Sequence, residues 1–75
     1  MESERESVQV TMIVTLPDSS SHDIGEEQRT VEAILKRFGI NPLEVIVSVG
    51  GTVVPENTIV SGDDRIRIIR IAHGG

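Results

Sequence analysis

The chain contains no cysteine, tryptophan or tyrosine, and Phe38 is its only phenylalanine. Without cysteine it can form no disulfide, no thiolate zinc site and no thiol nucleophile. Aliphatic side chains must therefore fill the core, and the many valines and isoleucines favour strands, where β-branched residues pack well. A small domain without disulfides fits a reducing compartment, so we expect a cytoplasmic protein.

Long apolar segments and an excess of basic residues are also missing. No run of 18 apolar residues and no signal-peptide pattern occurs, so we expect neither a membrane partner nor export. The net charge of −5 argues against a nucleic-acid partner, which would need a basic face. We expect a single-domain monomer that is not an enzyme and binds no cofactor or metal, because no acid–base or metal-ligand constellation is present.

Alternation of apolar and polar residues predicts strands in both halves of the chain. The first strand alternates over nine residues, and the second is a weak partner for it. A Gly50-Gly51 pair indicates a two-residue hairpin between the third and fourth strands. The predicted strands span residues 8–16, 22–27, 45–49, 52–54 and 65–71.

One helix is predicted between the second and third strands. Thr30 is a suitable N-cap, and Gly39 stands where a C′ residue belongs. Glu32 and Lys36 have the i, i+4 spacing of an ion pair and suit the helix dipole. One apolar stripe follows from the spacing of Val31, Ile34, Leu35 and Phe38.

The predicted order is β-β-α-β-β-β, so a single helix must cover one face of a mixed sheet. In the last strand Ile66 and Ile68 share one face, which we assign to the core. Arg65, Arg67, Ile69 and Ile71 then share the solvated face, joined by Ile46 across the sheet. A one-residue bulge would reverse this assignment.

The chain ends at Gly74-Gly75, directly after the last predicted strand. Two terminal glycines are about a half-per-cent event by chance, given their average usage. A carboxylate flanked by residues without Cβ is the least hindered acyl group that a protein offers. We expect a disordered arm over residues 1–7, one domain over 8–71 and a flexible tail over 72–75, whose carboxylate is the working site.

Two internal segments and the tail together resemble a known family. The segments are residues 45–55, a strand, Gly-Gly turn and strand ending in proline, and residues 61–68, a Gly-Asp turn before a strand. The combination is similar to the ubiquitin-like β-grasp family. The closest branch comprises the sulfur carriers of molybdopterin and thiamin biosynthesis and the small archaeal modifier proteins. The resemblance implies an α+β fold, with a mixed sheet of four to five strands and one helix packed across one face.

The resemblance also implies a mechanism based on Gly75 and Gly74. An activating enzyme would bind the tail and use ATP to convert the Gly75 carboxylate into an acyl-adenylate. A target lysine would then capture it as an isopeptide, or a sulfur-accepting biosynthetic partner would obtain it as a thiocarboxylate. Protein conjugation, dedicated sulfur transfer for molybdopterin, thiamin or tRNA thiolation, and a non-covalent β-grasp interaction domain remain as alternatives.

Two further features are candidate sites. Lys36 is the only lysine, so any chain linked through side-chain amines must use it; a helix-end cation is the simpler interpretation. Ile46, Ile69, Ile71 and Arg67 are a candidate partner-docking face, against the alternative of an ordinary solvated strand face.

Overall fold

The computed structural model describes residues 11–71. The predicted arm over residues 1–7, the start of the first predicted strand at 8–10 and the tail over 72–75 lie outside this range. Within it, the α-helix α1 spans Val31–Arg37, and a 3₁₀ turn spans Pro42–Glu44. The strands are β1 (Ile13–Thr15), β2 (Ser21–Asp23), β3 (Arg29–Thr30), β4 (Val45–Val49), β5 (Thr52–Val54), β6 (Ile59–Val60) and β7 (Arg65–Arg70).

The last strand of the chain lies at the centre of the main sheet. The order of this five-stranded sheet is β2-β1-β7-β4-β5. β7 pairs in parallel with β1 and antiparallel with β4, which makes the sheet mixed. With α1 packed on one face, the molecule has the predicted α+β, ubiquitin-like β-grasp fold. β1 and β7 are far apart in the sequence, and the chain between them forms the helix and the second hairpin.

The predicted apolar stripe of α1 packs on the sheet. Its buried residues are Val31, Ile34 and Leu35, while Phe38 is partly buried at the end of the helix. Ile66 and Ile68 of β7 are each 1% exposed, which confirms that they face the core. The core is completed by Met12, Val14, Ile24, Val45, Val47 and Val60.

Both predicted ends of α1 are confirmed. The Thr30 hydroxyl accepts a hydrogen bond from the Ala33 N–H at 3.2 Å, as an N-cap does. At the other end Gly39 has φ +68°, and its N–H donates to the Lys36 carbonyl at 3.1 Å. The next N–H, from Ile40, donates to the Leu35 carbonyl at 2.9 Å. This pair of bonds is a Schellman motif, which satisfies carbonyls that the helix end leaves free.

The structure differs from the predicted strands at several places. The second strand spans Ser21–Asp23 rather than residues 22–27, because the backbone turns after its last hydrogen bonds to Met12, at Gly25, whose φ is +88°. The last strand ends at Arg70 rather than Ile71. β3 and β6, which form a separate two-stranded sheet, were not predicted because two residues are too few to show a period.

The Gly39→Ala variant should be less stable by about 1 kcal/mol, because alanine pays the left-handed backbone cost that glycine avoids. No heavy atom lies within 4 Å of an added Cβ, so sterics at the site contribute nothing further. Urea denaturation measures the difference. Gly39→Asn is the matched control and should lose less, because asparagine tolerates this conformation. Equal losses in the two variants would contradict the backbone explanation.

Candidate functional site

The residues predicted for docking lie on the sheet face opposite α1, called the open face below. Ile46 on β4 and Ile69 on β7 are direct cross-strand partners and are 38% and 42% exposed. Arg67 is exposed two residues before Ile69, and Ile71, 37% exposed, lies two residues after it. The structure therefore places these four residues along two neighbouring strands of one face.

Val53 on β5 extends this face, although the sequence reasoning did not single it out. It is 65% exposed and pairs with Ser48, whose other cross-strand partner is Arg67. Ser48 itself is only 9% exposed, because longer side chains flank it on both sides. It forms the floor of the open face. The register around the predicted Gly50-Gly51 hairpin was the signal that could have revealed Val53.

The open face also carries positive charge. A shallow depression of about 580 Å³ there is lined by Arg65, Arg67 and Val53, among others. Within residues 11–71, neither Arg65 nor Arg67 has an acidic side chain within ion-pair distance. The open face therefore combines exposed aliphatic side chains with two guanidinium groups, which suits an apolar partner surface bearing carboxylates.

Arg70 follows a different course from the other two arginines of β7. It pairs opposite Val45, a core residue, so it does not share the open face with Arg65 and Arg67. Its Nη1 lies 3.6 Å from Oε1 of Glu44. The next residue, Ile71, donates its N–H to the Glu44 carbonyl at 2.9 Å. Glu44 thus contacts both of the last two described residues of the chain.

The candidate working site, Gly74 and Gly75, lies outside the described residues. The last described residue, Ile71, lies directly after the end of the central strand and next to the 3₁₀ turn. The four residues that follow Ile71 can span at most about 14 Å when fully extended.

Lys36 lies on the outer side of α1, and its side chain is 77% exposed. Its Nζ is 4.0 Å from Oε2 of Glu32, which confirms the predicted i, i+4 pair. Such an exposed pair holds the amine weakly and leaves it open to a reagent. Because α1 covers the opposite side of the sheet, Lys36 and the open face point to different sides of the molecule.

A hydrogen-bonded network occupies the β1–β2 turn. The Ser20 hydroxyl donates to Oδ1 of Asp18 at 2.6 Å, and the Ser20 N–H donates to the same oxygen at 2.9 Å. These two bonds, the hydroxyl first, hold the pKa of Asp18 below its ordinary value. A hydroxyl has one hydrogen, so Nε2 of His22, 3.0 Å away, donates to Ser20 in turn.

This network has the wrong polarity for nucleophilic catalysis. The serine hydrogen is directed to a carboxylate, and the histidine donates a hydrogen bond where a general base would accept one. The His22 ring instead packs near Phe38, with ring centroids 5.2 Å apart. The network therefore ties the first hairpin to the end of α1.

Among residues 11–71, no three histidine, aspartate or glutamate side chains come together as a metal-binding group. In the same range, no helix has the length and apolar character needed to cross a membrane.

Comparison with known proteins identifies one family. The family model described as "Small archaeal modifier protein 2" (SAMP2) matches residues 4–72, which is nearly the whole chain. No curated protein gives a significant match. The matched span includes β1 to β7, the open face and the segment that Glu44 holds.

Neighbouring isoleucines of β7 offer a test of the two sheet faces. Ile68→Ala should lower the free energy of unfolding by about 2–5 kcal/mol, because it empties a core position. Ile69→Ala should cost about 1 kcal/mol or less, since Ile69 is on the open face. Urea denaturation of the two variants gives the comparison. A larger loss for Ile69→Ala would reverse the assignment of the faces.

Proposed function

The chain belongs to the small archaeal modifier protein 2 family, and from this we propose that it is used through its C-terminal carboxylate. The family consists of ubiquitin-like small modifiers that are not enzymes by themselves. In the proposal, an activating enzyme adenylates Gly75, and the activated acyl group is then transferred to a lysine amine of a target protein. The observation that carries it is the terminal Gly-Gly placed a few residues after a central strand.

The chemistry needs an outside enzyme. A carboxylate is ionised at neutral pH and is a poor acyl donor. A Gly75 oxygen attacks the α-phosphorus of ATP, which forms the acyl-adenylate and expels pyrophosphate. The lysine nitrogen then attacks the acyl carbon, AMP leaves, and the nitrogen loses its proton to form the isopeptide. ATP is the activating partner's substrate, and this chain contributes the acyl group alone.

The open face supplies a docking surface for that enzyme. Ile46, Ile69 and Val53 provide exposed apolar area, and Arg65 and Arg67 provide positive charge beside it. The enzyme surface that fits is apolar at its centre and carries carboxylates toward the arginines. Ile71 connects this face to the tail, so docking there brings the terminal carboxylate within about 14 Å of the contact.

Sulfur transfer is the second candidate, because the same adenylate can react with a sulfur donor. In that reaction a hydrosulfide anion attacks the acyl carbon, AMP leaves, the sulfur loses its proton to solvent, and the terminus becomes a thiocarboxylate. The absence of cysteine suits such a role, since no thiol in the chain can compete for the acyl group. A non-covalent interaction domain on the same scaffold would use the open face and would not need Gly75.

Deletion of Gly75 distinguishes use of the carboxylate from simple binding. The full chain, mixed with ATP and a recombinant adenylating enzyme of the ubiquitin-activating type, should support pyrophosphate exchange. The deleted chain should lose this exchange completely, because its terminal carboxylate is one residue too short to reach the adenylation site. Deletion of Met1 is the control and should change nothing. Enzyme binding without pyrophosphate exchange, in both the full and the deleted chain, would favour the non-covalent domain.

Mass spectrometry then distinguishes conjugation from sulfur transfer. Conjugation predicts that trypsin, cleaving after Arg70, leaves Ile71-Ala72-His73-Gly74-Gly75 on target lysines from native cells. If chains form, the same remnant occurs on Lys36, and Lys36→Arg removes the chains but keeps single conjugates. Sulfur transfer predicts an intact chain in which one terminal oxygen is replaced by sulfur. Cells that contain only this second species would refute conjugation.

A further inference from the structure

Glu44 makes two independent contacts with the end of β7. Its backbone carbonyl accepts from the Ile71 N–H at 2.9 Å, and its carboxylate lies 3.6 Å from the Arg70 guanidinium. Glu44 itself ends the 3₁₀ turn, which Asn41 caps by accepting from the Leu43 N–H at 2.9 Å. The end of β7 is therefore held by a segment that has its own local support.

The point at which the chain leaves the sheet sets how many residues lie between the sheet and the Gly75 carboxylate. With Ile71 held, four residues follow it; if Arg70 and Ile71 detached, six would follow Ile69. The effective concentration of a tethered group falls roughly as the −3/2 power of tether length. Two extra residues therefore cost about a factor of two, in addition to the lost direction of the chain.

We propose that Glu44 is a positioning residue, which holds Arg70 and Ile71 in the sheet so that the tail leaves from one fixed point. This inference rests on the proposed function, because it concerns delivery of the Gly75 carboxylate to an adenylating enzyme. The Glu44–Arg70 ion pair keeps the end of β7 beside the 3₁₀ turn. The hydrogen bond from the Ile71 N–H to the Glu44 carbonyl shows whether that end is in place. Glu44 acts through the position of the tail and takes no part in the chemistry.

The orientation of Arg70 separates this role from docking. Arg65 and Arg67 lie on the open face without an acidic partner among residues 11–71, whereas Arg70 is turned away and has one in Glu44. Both side chains of the pair are well exposed, at 62% for Arg70 and 47% for Glu44. A charge exchange between the two positions is therefore tolerable, and it tests the pair without burying a charge.

The test compares Glu44→Arg, Arg70→Glu and the double variant that carries both exchanges. Each single variant places like charges together, and the Ile71 amide should exchange with solvent about two- to tenfold faster by NMR. The double variant should return to within about twofold of the original rate. The Ile68 amide, deep in the same strand, is the internal reference and should stay unchanged.

The original chain and these three variants are then assayed for pyrophosphate exchange with the recombinant adenylating enzyme. Each single variant should lower kcat about twofold or more, while KM changes little because the open face is intact. The double variant should recover. Glu32→Lys, which removes the exposed Glu32–Lys36 pair with a similar change in charge, is the control and should behave like the original chain.

Three outcomes would overturn the inference. Unchanged Ile71 exchange in both single variants would show that the pair does not hold β7. Faster exchange with unchanged kcat would show that the holding has no consequence for the reaction. Loss of activity in Arg70→Glu that the double variant does not recover would show that Arg70 contacts the enzyme directly. Absence of pyrophosphate exchange with the original chain would instead refute the proposed function. The rate of amide hydrogen exchange at Ile71 would still decide whether Glu44 holds the strand.

Discussion

The pairing of β7 with β1 on one side and β4 on the other is the interaction on which the rest of the structure depends. It places the last strand of the chain at the centre of the sheet. Ile66 and Ile68 enter the core from this strand, and burial of each contributes about 1.5–3 kcal/mol. Paired on both sides, β7 is therefore among the most firmly held parts of the described chain.

The same strand has one buried face and one exposed face, and the exposed one is the docking face of the proposal. Side chains alternate across a strand, so Ile68 packs under α1 while Ile69 is exposed on the open face. Lys36, on the outer side of α1, is remote from that face, so a chain linked there would leave the open face of each unit accessible.

The end of β7 lies between the core strand and the segment that leads to Gly75. A free tail is needed for a carboxylate to enter another protein's active site, and a held strand is needed to direct it there. Glu44 lies at the boundary, where its carbonyl and carboxylate contact Ile71 and Arg70. One exposed ion pair is weak. In the proposal it acts at the point where two additional residues would lengthen the segment before the Gly75 carboxylate by half.

Much of this protein follows from the sequence by itself. The period of two assigns Ile66 and Ile68 to the core, and the spacing of Thr30, the apolar stripe and Gly39 sets both ends of α1, because these signals are local. The two-residue strands β3 and β6 are too short to have a period. The burial of Ser48 beside β7 and the contacts of Glu44 with the end of β7 depend on the register between strands that are distant in the sequence. Only the tertiary structure decides these, because it brings together residues that are far apart in the sequence.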